Sequence, residues 1–264
     1  MGAELNSGIK ELDQRAQLSQ WVGPVQFSSS SPQGACDQII ALAHAGRGRH
    51  VHLANAYTVA LADQSVDYCD ILAAPAVNFP DGKPIGWISA LRRHAPRLQQ
   101  VRGPQLFLDV FDQGRASGVR HFLLGSTPEV LAALDRQLRT LFPGIEIAGI
   151  ESPPFRALAK AEYLDQDARI LASGANIVWV GLGTPKQDFE AERLSRQLPI
   201  VAVAIGAAFD FAAGTTRQAP AWMTRVGLEW FFRLMSDPRR LWKRYFFGNA
   251  RFLKAVLSAP AATD

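Results

Sequence analysis

The feature that most constrains the fold is an alternation of short apolar runs with longer amphipathic stretches. The runs include HVHLAN, VRHFLLGS, IEIAGIE, NIVWVGLG and IVAVAIG. Runs that are apolar on both faces are typical of parallel strands covered by helices on each side. We therefore predict an α/β fold, with a Rossmann-like, doubly wound and mostly parallel sheet. CDILAAP is predicted as a further short buried strand.

The stretches between these runs predict helices. They include CDQIIALAHAG, AYTVALADQSV, PIGWISALRRHA, QLFLDVFDQGRASG, TPEVLAALDRQLRTLFPG, a segment around 162–173 and PKQDFEAERLSRQL. Thr127 is the expected N-cap of the fifth of these helices. Along the chain we predict a loose polar leader over residues 1–20, the Rossmann-like domain over 21–213 and a helical appendage over 214–264.

The composition argues against several classes of protein. The two cysteines, Cys36 and Cys69, form no CxxC pair, which argues against a disulfide framework or a zinc site and suits a reducing compartment. The N-terminal sequence lacks the apolar core of a signal peptide. No stretch of about 18 residues is apolar enough to span a bilayer. We expect a cytoplasmic protein that is soluble or lies on a membrane surface.

The C-terminal region differs from the rest in charge and aromatic content. From Arg217 to the end there are nine Lys or Arg and three Asp or Glu, and nine of the 25 aromatic residues fall between Trp222 and Phe252. Two helices interrupted near Pro238 fit the spacing. Interleaved cations and aromatics are typical of a helix at an anionic membrane surface. The alternative is that the aromatics complete the core and the cations are solvated.

Polar residues follow two of the predicted strands. In a doubly wound sheet, ligands bind beyond the carboxyl ends of the strands. Asn55 follows HVHLAN, where it can bind a sugar hydroxyl or simply cap the next helix. Asp81 lies in a Pro-Asp-Gly sequence, where it can accept a proton from an acceptor hydroxyl or simply form a turn.

Two glycine-containing loops follow other strands. The sequence GLGTPKQ, residues 181–187, joins a strand to a helix, and its glycines allow the backbone to approach a phosphate. GAAFD, residues 206–210, is a second strand end of small residues. Neither loop matches GxGxxG or a P-loop. They indicate a phosphorylated ligand but argue against the two commonest kinds of nucleotide site.

One apparent metal motif is discounted. Asp165-Gln166-Asp167 matches the DxD pattern of many sugar-nucleotide enzymes, but it falls inside a predicted helix. We predict no metal site.

Taken in order, Asn55, PDG, LLGST, VGLGTPKQ, IGAAFDFAAGTTRQAPAWM and GLEWFFRLMSDPRRLWKRY resemble the WecG/TagA/CpsF family, glycosyltransferase family 26. The resemblance implies an inverting, metal-independent transfer without a cofactor, from a UDP-sugar to an undecaprenyl-diphosphate-linked saccharide. Such a reaction serves exopolysaccharide or cell-surface glycan synthesis, at the anionic inner face of the cell membrane. HLANAYT resembles the xanthan-type branch, which implies glucose and a β-1,4 linkage. The alternative is a UDP-N-acetylmannosaminyl(uronic acid) transferase of the same family.

The resemblance also implies roles for individual residues. Asp81 matches the proposed general base, and Gln187 matches a glutamine that lines the donor pocket. Arg233 and Arg240 match arginines that meet the diphosphate, and Lys243 stands at a third such position. The other expected substrate-binding residues are Asn55, Gly125, Gly181, Gly183, Pro185, Gly206 and Asp210.

The sequence departs from the family pattern at two positions. Leu53 stands where many members carry Thr, so the hydroxyl contact expected there is missing and the sugar preference is open. Lys243 replaces a usual Arg, which keeps the charge but loses the bidentate fork.

Two other functions fit parts of the sequence. A nucleic-acid-binding protein would use the basic, aromatic C-terminal region, but it gives Asp81 and the glycine loops no role. A nicotinamide-dependent oxidoreductase would share the fold, but the glycine fingerprint is missing. We therefore expect no nucleic-acid partner.

Overall fold

The computed structural model describes residues 19–91 and 97–258. The strands in these ranges are β1 Ser19–Val22, β2 Val25–Ser28, β3 Arg49–Ala54, β4 Val77–Pro80, β5 Arg120–Gly125, β6 Glu146–Glu151, β7 Ile177–Gly181 and β8 Val201–Ala204. The last six form a parallel sheet in the order β4-β3-β8-β7-β5-β6. The pair β1 and β2 forms a separate antiparallel hairpin.

The helices cover both faces of the six-stranded sheet. They are α1 Pro32–Ala45, α2 Ala56–Ala62, α3 Val66–Ile71, α4 Lys83–Leu91, α5 Gly103–Gly114, α6 Pro128–Leu141, α7 Lys160–Ser173, α8 Lys186–Gln197, α9 Ala208–Ala212, α10 Ala221–Arg225, α11 Glu229–Ser236 and α12 Pro238–Ser258. One buried cluster joins the sheet to α1, α5, α6 and α9, and another joins it to α7 and α8. The doubly wound α/β fold is therefore confirmed.

The central strands are continuous apolar runs because both of their faces are covered. All four residues of β8 are buried, and so are the first four of β7. Four of the helices, α1, α2, α3 and α6, begin where a side-chain cap satisfies free backbone N–H groups. Thr127 Oγ1 accepts from Val130 N, as predicted, and Ser31 Oγ accepts from Gly34 N.

The prediction of a strand at CDILAAP is wrong. Cys69 to Ile71 end helix α3, which Ser65 caps by accepting a hydrogen bond from Tyr68 N. The strand at this edge of the sheet is β4, over Val77–Pro80. Its buried Asn78 donates from Nδ2 to the carbonyls of Gln26 and Leu72. A buried asparagine interrupts the apolar pattern by which strands are recognised.

The hairpin of β1 and β2 was not predicted from the sequence either. It includes Ser19 and Gln20, which the predicted leader had included; residues 1–18 lie outside the described part. Buried Val22, Val25 and Phe27 join α2, α3, α4 and α12 in a third apolar cluster.

The C-terminal helices pack closely on this third cluster. The predicted break near Pro238 is confirmed, since α11 ends at Ser236 and α12 begins at Pro238. Phe252 and Ala255 of α12 are buried in the cluster. At Gly248 a Cβ atom would lie 3.2 Å from the Tyr57 ring, so α12 approaches α2 closely. The domain boundary at residues 213 and 214 stays a prediction.

None of the described helices is both long and apolar enough to cross a lipid bilayer.

Candidate functional site

A cavity of about 400 Å³ lies at the carboxyl ends of β3 and β4, beneath the C-terminal helices. We call it the charged pocket. Asn55 and Asp81 contribute from the two strand ends, and Glu229, Arg233 and Tyr245 contribute from α11 and α12. Its apolar wall includes Trp87 of α4, Trp230, Phe252 and Leu253. Residues far apart in the sequence therefore meet at the edge where the sequence predicted a site.

Asp81 is fixed by its backbone at the end of β4. Its N–H donates to Ala54 O at 2.8 Å, and the preceding Pro80 carbonyl accepts from Val101 N at 2.8 Å. Gly82 adopts a φ of +102°, a conformation that glycine tolerates, and the chain then enters α4. The turn interpretation is thus correct for the backbone, and the turn directs Asp81 into the charged pocket.

The pKa of the Asp81 carboxyl is raised from 3.8 to about 6. Burial is the largest cause, and the negative charge of Glu229 acts in the same direction. Arg233, Arg102 and the Gly103 N–H act in the opposite direction and lower the pKa. A carboxylate with this pKa binds a proton more readily than an ordinary aspartate, while it stays largely ionised at pH 7.

Two arginines and one glutamate surround Asp81. Glu229 accepts hydrogen bonds from Arg233 at 2.7 Å and from Arg102 at 3.3 Å. The Arg233 guanidinium lies over the Phe211 ring, 4.9 Å from its centre. Burial lowers the pKa of the Arg233 guanidinium. The negative charges of Glu229 and Asp81 raise it by more, so the net pKa is raised. The pocket therefore holds a permanent cation beside a carboxylate.

Arg233 keeps donor capacity. Among the described residues, its buried Nε has no hydrogen-bond acceptor. A buried donor without an acceptor is costly, so an anionic ligand in the charged pocket has a group ready to bind it.

Arg240 and Lys243, the other expected cations, lie in α12. The structure describes their backbone but not their side chains.

Asn55 is the N-cap of α2. Its Oδ1 accepts from Tyr57 N at 3.0 Å and from Thr58 N at 3.3 Å, and the Asn55 N–H donates to Thr58 Oγ1. This capping interpretation is confirmed. Because Asn55 also lines the charged pocket, a contact with substrate through its amide stays a prediction.

The expected glycine residues lie along the neighbouring strand ends. We call this region, at the carboxyl ends of β5, β7 and β8, the glycine edge; it contains Gly125, Gly181, Gly183, Pro185, Gln187 and Gly206. Gly125 has a φ of +127°, and a Cβ there would lie 2.5 Å from Gly181 O. A Cβ on Gly181 would lie 2.7 Å from the Phe209 ring. Close packing alone thus requires glycine at both positions.

Gln187 joins two loops of the glycine edge. Its Oε1 accepts from Gly183 N at 3.1 Å and from Gly206 N at 3.0 Å, and its Nε2 donates to Thr184 Oγ1. The residue is only 3% exposed. The structure thus shows that Gln187 links the loop of Gly183 to the loop of Gly206 by hydrogen bonds. A direct contact between Gln187 and the donor stays a prediction.

A buried hydrogen-bonded cluster anchors the helix that carries Gln187. The neighbouring Asp188 carboxylate lies 2.9 Å from His52 Nδ1 and accepts from the Tyr68 hydroxyl at 2.9 Å. This fixes the first turn of α8 against β3 and α3.

The two regions are adjacent. The Gly103 N–H bonds to Asp81, and a Cβ on Gly103 would lie 3.6 Å from Ile205 O, one residue before Gly206. Phe211, beneath Arg233, lies one residue after Asp210 on the helix that follows Gly206. Asp210 is partly buried, and its carbonyl accepts from Thr215 N and Thr216 N.

Among the residues that sequence reasoning missed are two charged neighbours of Asp81, Glu229 and Arg102. Glu229 and Arg233 are spaced i, i+4 on α11, which is the signal that could have identified the glutamate. Nothing in the sequence near Arg102 points to a contact with residue 229, because the pair is 127 residues apart.

The discounted DxD motif has another structural role. It lies within α7, and the Asp167 carboxylate accepts two hydrogen bonds from Arg193, at 2.7 and 2.8 Å. Its neighbour Gln166 is buried and donates to Glu190 at 3.0 Å. Among the described residues, no group of three or more His, Cys, Asp or Glu could hold a metal ion.

Comparison with known proteins is consistent with this geometry. The sequence profile of the glycosyl transferase WecG/TagA/CpsF family matches residues 21–263. The chain is also 31% identical, over 203 residues, to the N-acetylglucosaminyldiphosphoundecaprenol N-acetyl-beta-D-mannosaminyltransferase of Bacillus spizizenii. That alignment covers 76% of each chain.

Proposed function

Since this chain belongs to the WecG/TagA/CpsF family of glycosyltransferases, we propose that it transfers a sugar from a UDP-sugar to an undecaprenyl-diphosphate-linked saccharide. The observation that carries the proposal is the charged pocket, where a carboxyl with a pKa of about 6 lies beside Arg233. A glycosyl transfer needs a base for the acceptor hydroxyl and positive charge for the departing diphosphate. Asp81 and Arg233 match these two needs.

In the proposed mechanism, Asp81 accepts the proton of the acceptor hydroxyl. The hydroxyl oxygen then attacks the anomeric carbon of the donor, and the bond from that carbon to the UDP oxygen breaks. Attack from the face opposite the leaving group inverts the configuration at the anomeric carbon.

Cationic side chains balance the charge on the leaving UDP. Arg233 would donate to the diphosphate, and Arg240 and Lys243 are proposed as the further cations of α12. These side chains can supply the stabilisation that a metal ion supplies in other transferases, so the proposed reaction proceeds without one.

The glycine edge is proposed to hold the donor diphosphate. Gln187 Oε1 accepts from both Gly183 N and Gly206 N, which brings the two glycine loops together just before α8. Backbone N–H groups and the helix N-terminus there favour a negative charge. This would place the anomeric carbon toward Asp81 in the adjacent charged pocket.

Two donor sugars are supported by different observations. The Bacillus spizizenii relative is named for N-acetylmannosaminyl transfer to a diphosphoundecaprenol-linked N-acetylglucosamine, which favours N-acetylmannosamine. Only the resemblance of the HLANAYT sequence to the xanthan-type branch favours glucose, and Leu53, which lacks the hydroxyl of Thr, leaves the sugar preference open. Leu53 is buried and packs against Gly103, so it shapes the backbone beside Asp81.

A membrane-surface location is proposed from the outer face of the C-terminal helices. Large apolar side chains outside the charged pocket are exposed there: Trp222, Phe231, Trp242, Phe246, Phe247 and Leu257. Trp87 and Leu91 of α4 are also exposed. Exposed aromatics beside cations fit the interfacial region of an anionic bilayer, where the lipid-linked acceptor resides.

The test of the proposed function is a donor panel. Purified protein is mixed with undecaprenyl-diphosphate-N-acetylglucosamine or undecaprenyl-diphosphate-glucose in vesicles containing EDTA, and UDP-N-acetylmannosamine or UDP-glucose is added. We expect one pair to yield a lipid-linked disaccharide with inverted anomeric configuration. If every pair stays unreacted while a relative in the same vesicles is active, the proposed donors and acceptors are wrong.

A further inference from the structure

One aromatic side chain at the glycine edge has no role in the reaction as described above. Phe155, in the segment between β6 and α7, is fully exposed to solvent. Exposing a phenyl ring forgoes the free energy of burying it. The Phe155 ring contacts the ammonium of Lys186, whose Nζ lies 5.7 Å from the ring centre. Lys186 is the first residue of α8, directly after the glycine loop.

The backbone presents this ring in a fixed position. Phe155 follows two prolines and lies at the tip of a tight turn, in which Arg156 N donates to Pro154 O at 2.8 Å. Arg156 forms two hydrogen bonds with the Glu162 carboxylate, at 2.6 and 2.7 Å. The same Glu162 caps α7 by accepting from Ala159 N at 2.7 Å.

The segment is also tied to the neighbouring strand end. Ser152 Oγ donates to Ser126 O at 2.7 Å, and Ser126 N donates to Gly181 O at 3.1 Å. The Phe155 segment is therefore linked through β5 to the first glycine of the GLGTPKQ loop.

We infer that Phe155 is a stacking platform for the nucleobase of the donor and that Lys186 binds its diphosphate. The inference rests on the proposed function and names a base subsite within it. A UDP-sugar carries a flat base and a diphosphate with two negative charges within one molecule. An exposed ring beside an ammonium, next to a glycine loop, is complementary to both parts.

The arrangement also suggests how the two ends of the donor are separated. The base would lie at the β6 side of the glycine edge, whereas Asp81 follows β4 at the opposite edge of the sheet. The diphosphate would then cross the strand ends of β7 and β8, which leaves the sugar toward the charged pocket.

The experiment compares two ligands with and without a base. Binding of UDP and of inorganic pyrophosphate to the full chain is measured by titration calorimetry, for wild type, Phe155→Ala, Phe155→Trp and Lys186→Ala. Leu171→Ala is the matched control, because Leu171 is an exposed apolar residue on the adjacent α7. Thermal unfolding of each variant checks that the fold is retained.

We expect Phe155→Ala to weaken UDP binding by about 5- to 150-fold, the range for loss of one base–aromatic stack. Pyrophosphate binding should be unchanged in that variant, and Phe155→Trp should retain UDP binding. Lys186→Ala should weaken both ligands, and Leu171→Ala neither.

Two results would overturn the inference and leave the proposed function standing. One is equal UDP affinity in wild type and Phe155→Ala, which would mean that the ring meets something other than the donor. The other is an equal loss of UDP and pyrophosphate in Phe155→Ala, which would mean that the ring only supports the loop. Absence of UDP binding in the wild type would instead refute the proposed donor, and the base subsite with it.

Discussion

The charged pocket and the glycine edge lie side by side on one sheet, yet they are constructed differently. In the charged pocket the charged groups are side chains that follow β4, precede α5 and lie on α11, and the neighbours of Asp81 shift its pKa. In the glycine edge the proposed donor surface is mainly backbone, and one buried amide, Gln187, joins its two loops. Side-chain charges suit proton transfer, whereas backbone N–H groups suit a fixed anion.

This difference predicts different responses to mutation. A change in the charged pocket should alter the chemical step and its pH dependence, because it changes the proton affinity of Asp81. A change in the glycine edge should alter donor affinity, because it changes only the shape of a binding surface. The five predictions below test this division, from the largest expected effect to the smallest.

Asp81→Asn should have the largest effect. We expect kcat to fall by about 10²- to 10⁴-fold, because Asn cannot accept the proton of the acceptor hydroxyl. Transfer rates at saturating donor and acceptor measure this. Asp70→Asn, an exposed position on α3, is the matched control. Undiminished turnover in Asp81→Asn would remove Asp81 from the mechanism.

The same variant should keep its stability. Since the folded-state pKa of Asp81 is raised from 3.8 to about 6, the folded protein loses stability as pH rises through that window. Above it, the ionised carboxylate is unfavourable and a neutral Asn is not. We therefore expect Asp81→Asn to unfold at the same or a higher temperature than wild type at pH 8, measured by calorimetry. A lower unfolding temperature would mean that activity was lost with the fold.

Arg233→Ala should reduce kcat/KM by about 10²- to 10³-fold, because it removes a preorganised cation from the leaving group. Arg233→Lys should recover part of this loss, since it keeps the charge but not the planar group over Phe211. Steady-state rates for both variants provide the measurement. If Ala and Lys were equally active, the charge at this position would have no part in catalysis.

Glu229→Gln should shift the pH profile more than it lowers the maximal rate. In wild type, activity should rise with pH around 6, as Asp81 loses its proton. Glu229 raises the pKa of Asp81, and its removal also frees Arg233 and Arg102 to lower that pKa. The acidic limb of kcat/KM against pH should therefore move to lower pH. An acidic limb that stays in place or moves to higher pH would contradict the proposed coupling between Glu229 and Asp81.

Gln187→Ala should have the smallest effect on chemistry. It removes the acceptor for Gly183 N and Gly206 N, which we expect to lower stability by about 1 kcal/mol and donor affinity by roughly tenfold. The KM for donor should rise while kcat changes little, and donor titrations can confirm the loss. A fall in kcat with unchanged KM would place Gln187 with the charged pocket instead.

Much of the fold was predictable because local pattern and tertiary environment agreed. The buried strands β5, β7 and β8 are continuous apolar runs in the sequence and in the sheet. The prediction failed at β4, where Asn78 interrupts the pattern, and at the hairpin of β1 and β2, where two strands of four residues give too little periodicity. Strand length and buried hydrogen bonds are set by neighbours that a local pattern does not contain.

The candidate site was also predictable in part, where the residues that form it follow predicted strands or lie in predicted helices. Asp81 and Arg233 were both expected, and the structure places both at the charged pocket. For Asn55 and Gln187, the structure shows local structural roles, as a helix cap and as a link between loops. Their contacts with substrate stay predictions. Arg102 could not be found from sequence, since its importance depends on an ion pair with α11.

The sequence by itself determined the α/β class, the order of the strand-end loops and the residue types available at them, because these follow from apolar periodicity and turn chemistry. Only the tertiary structure decided that Glu229, Arg233 and Arg102 converge on Asp81 and that Phe155 stands beside Lys186. The pKa of a carboxyl depends on its burial and on charges within a few ångströms. Those neighbours come from distant parts of the chain, so only packing raises the pKa of the Asp81 carboxyl.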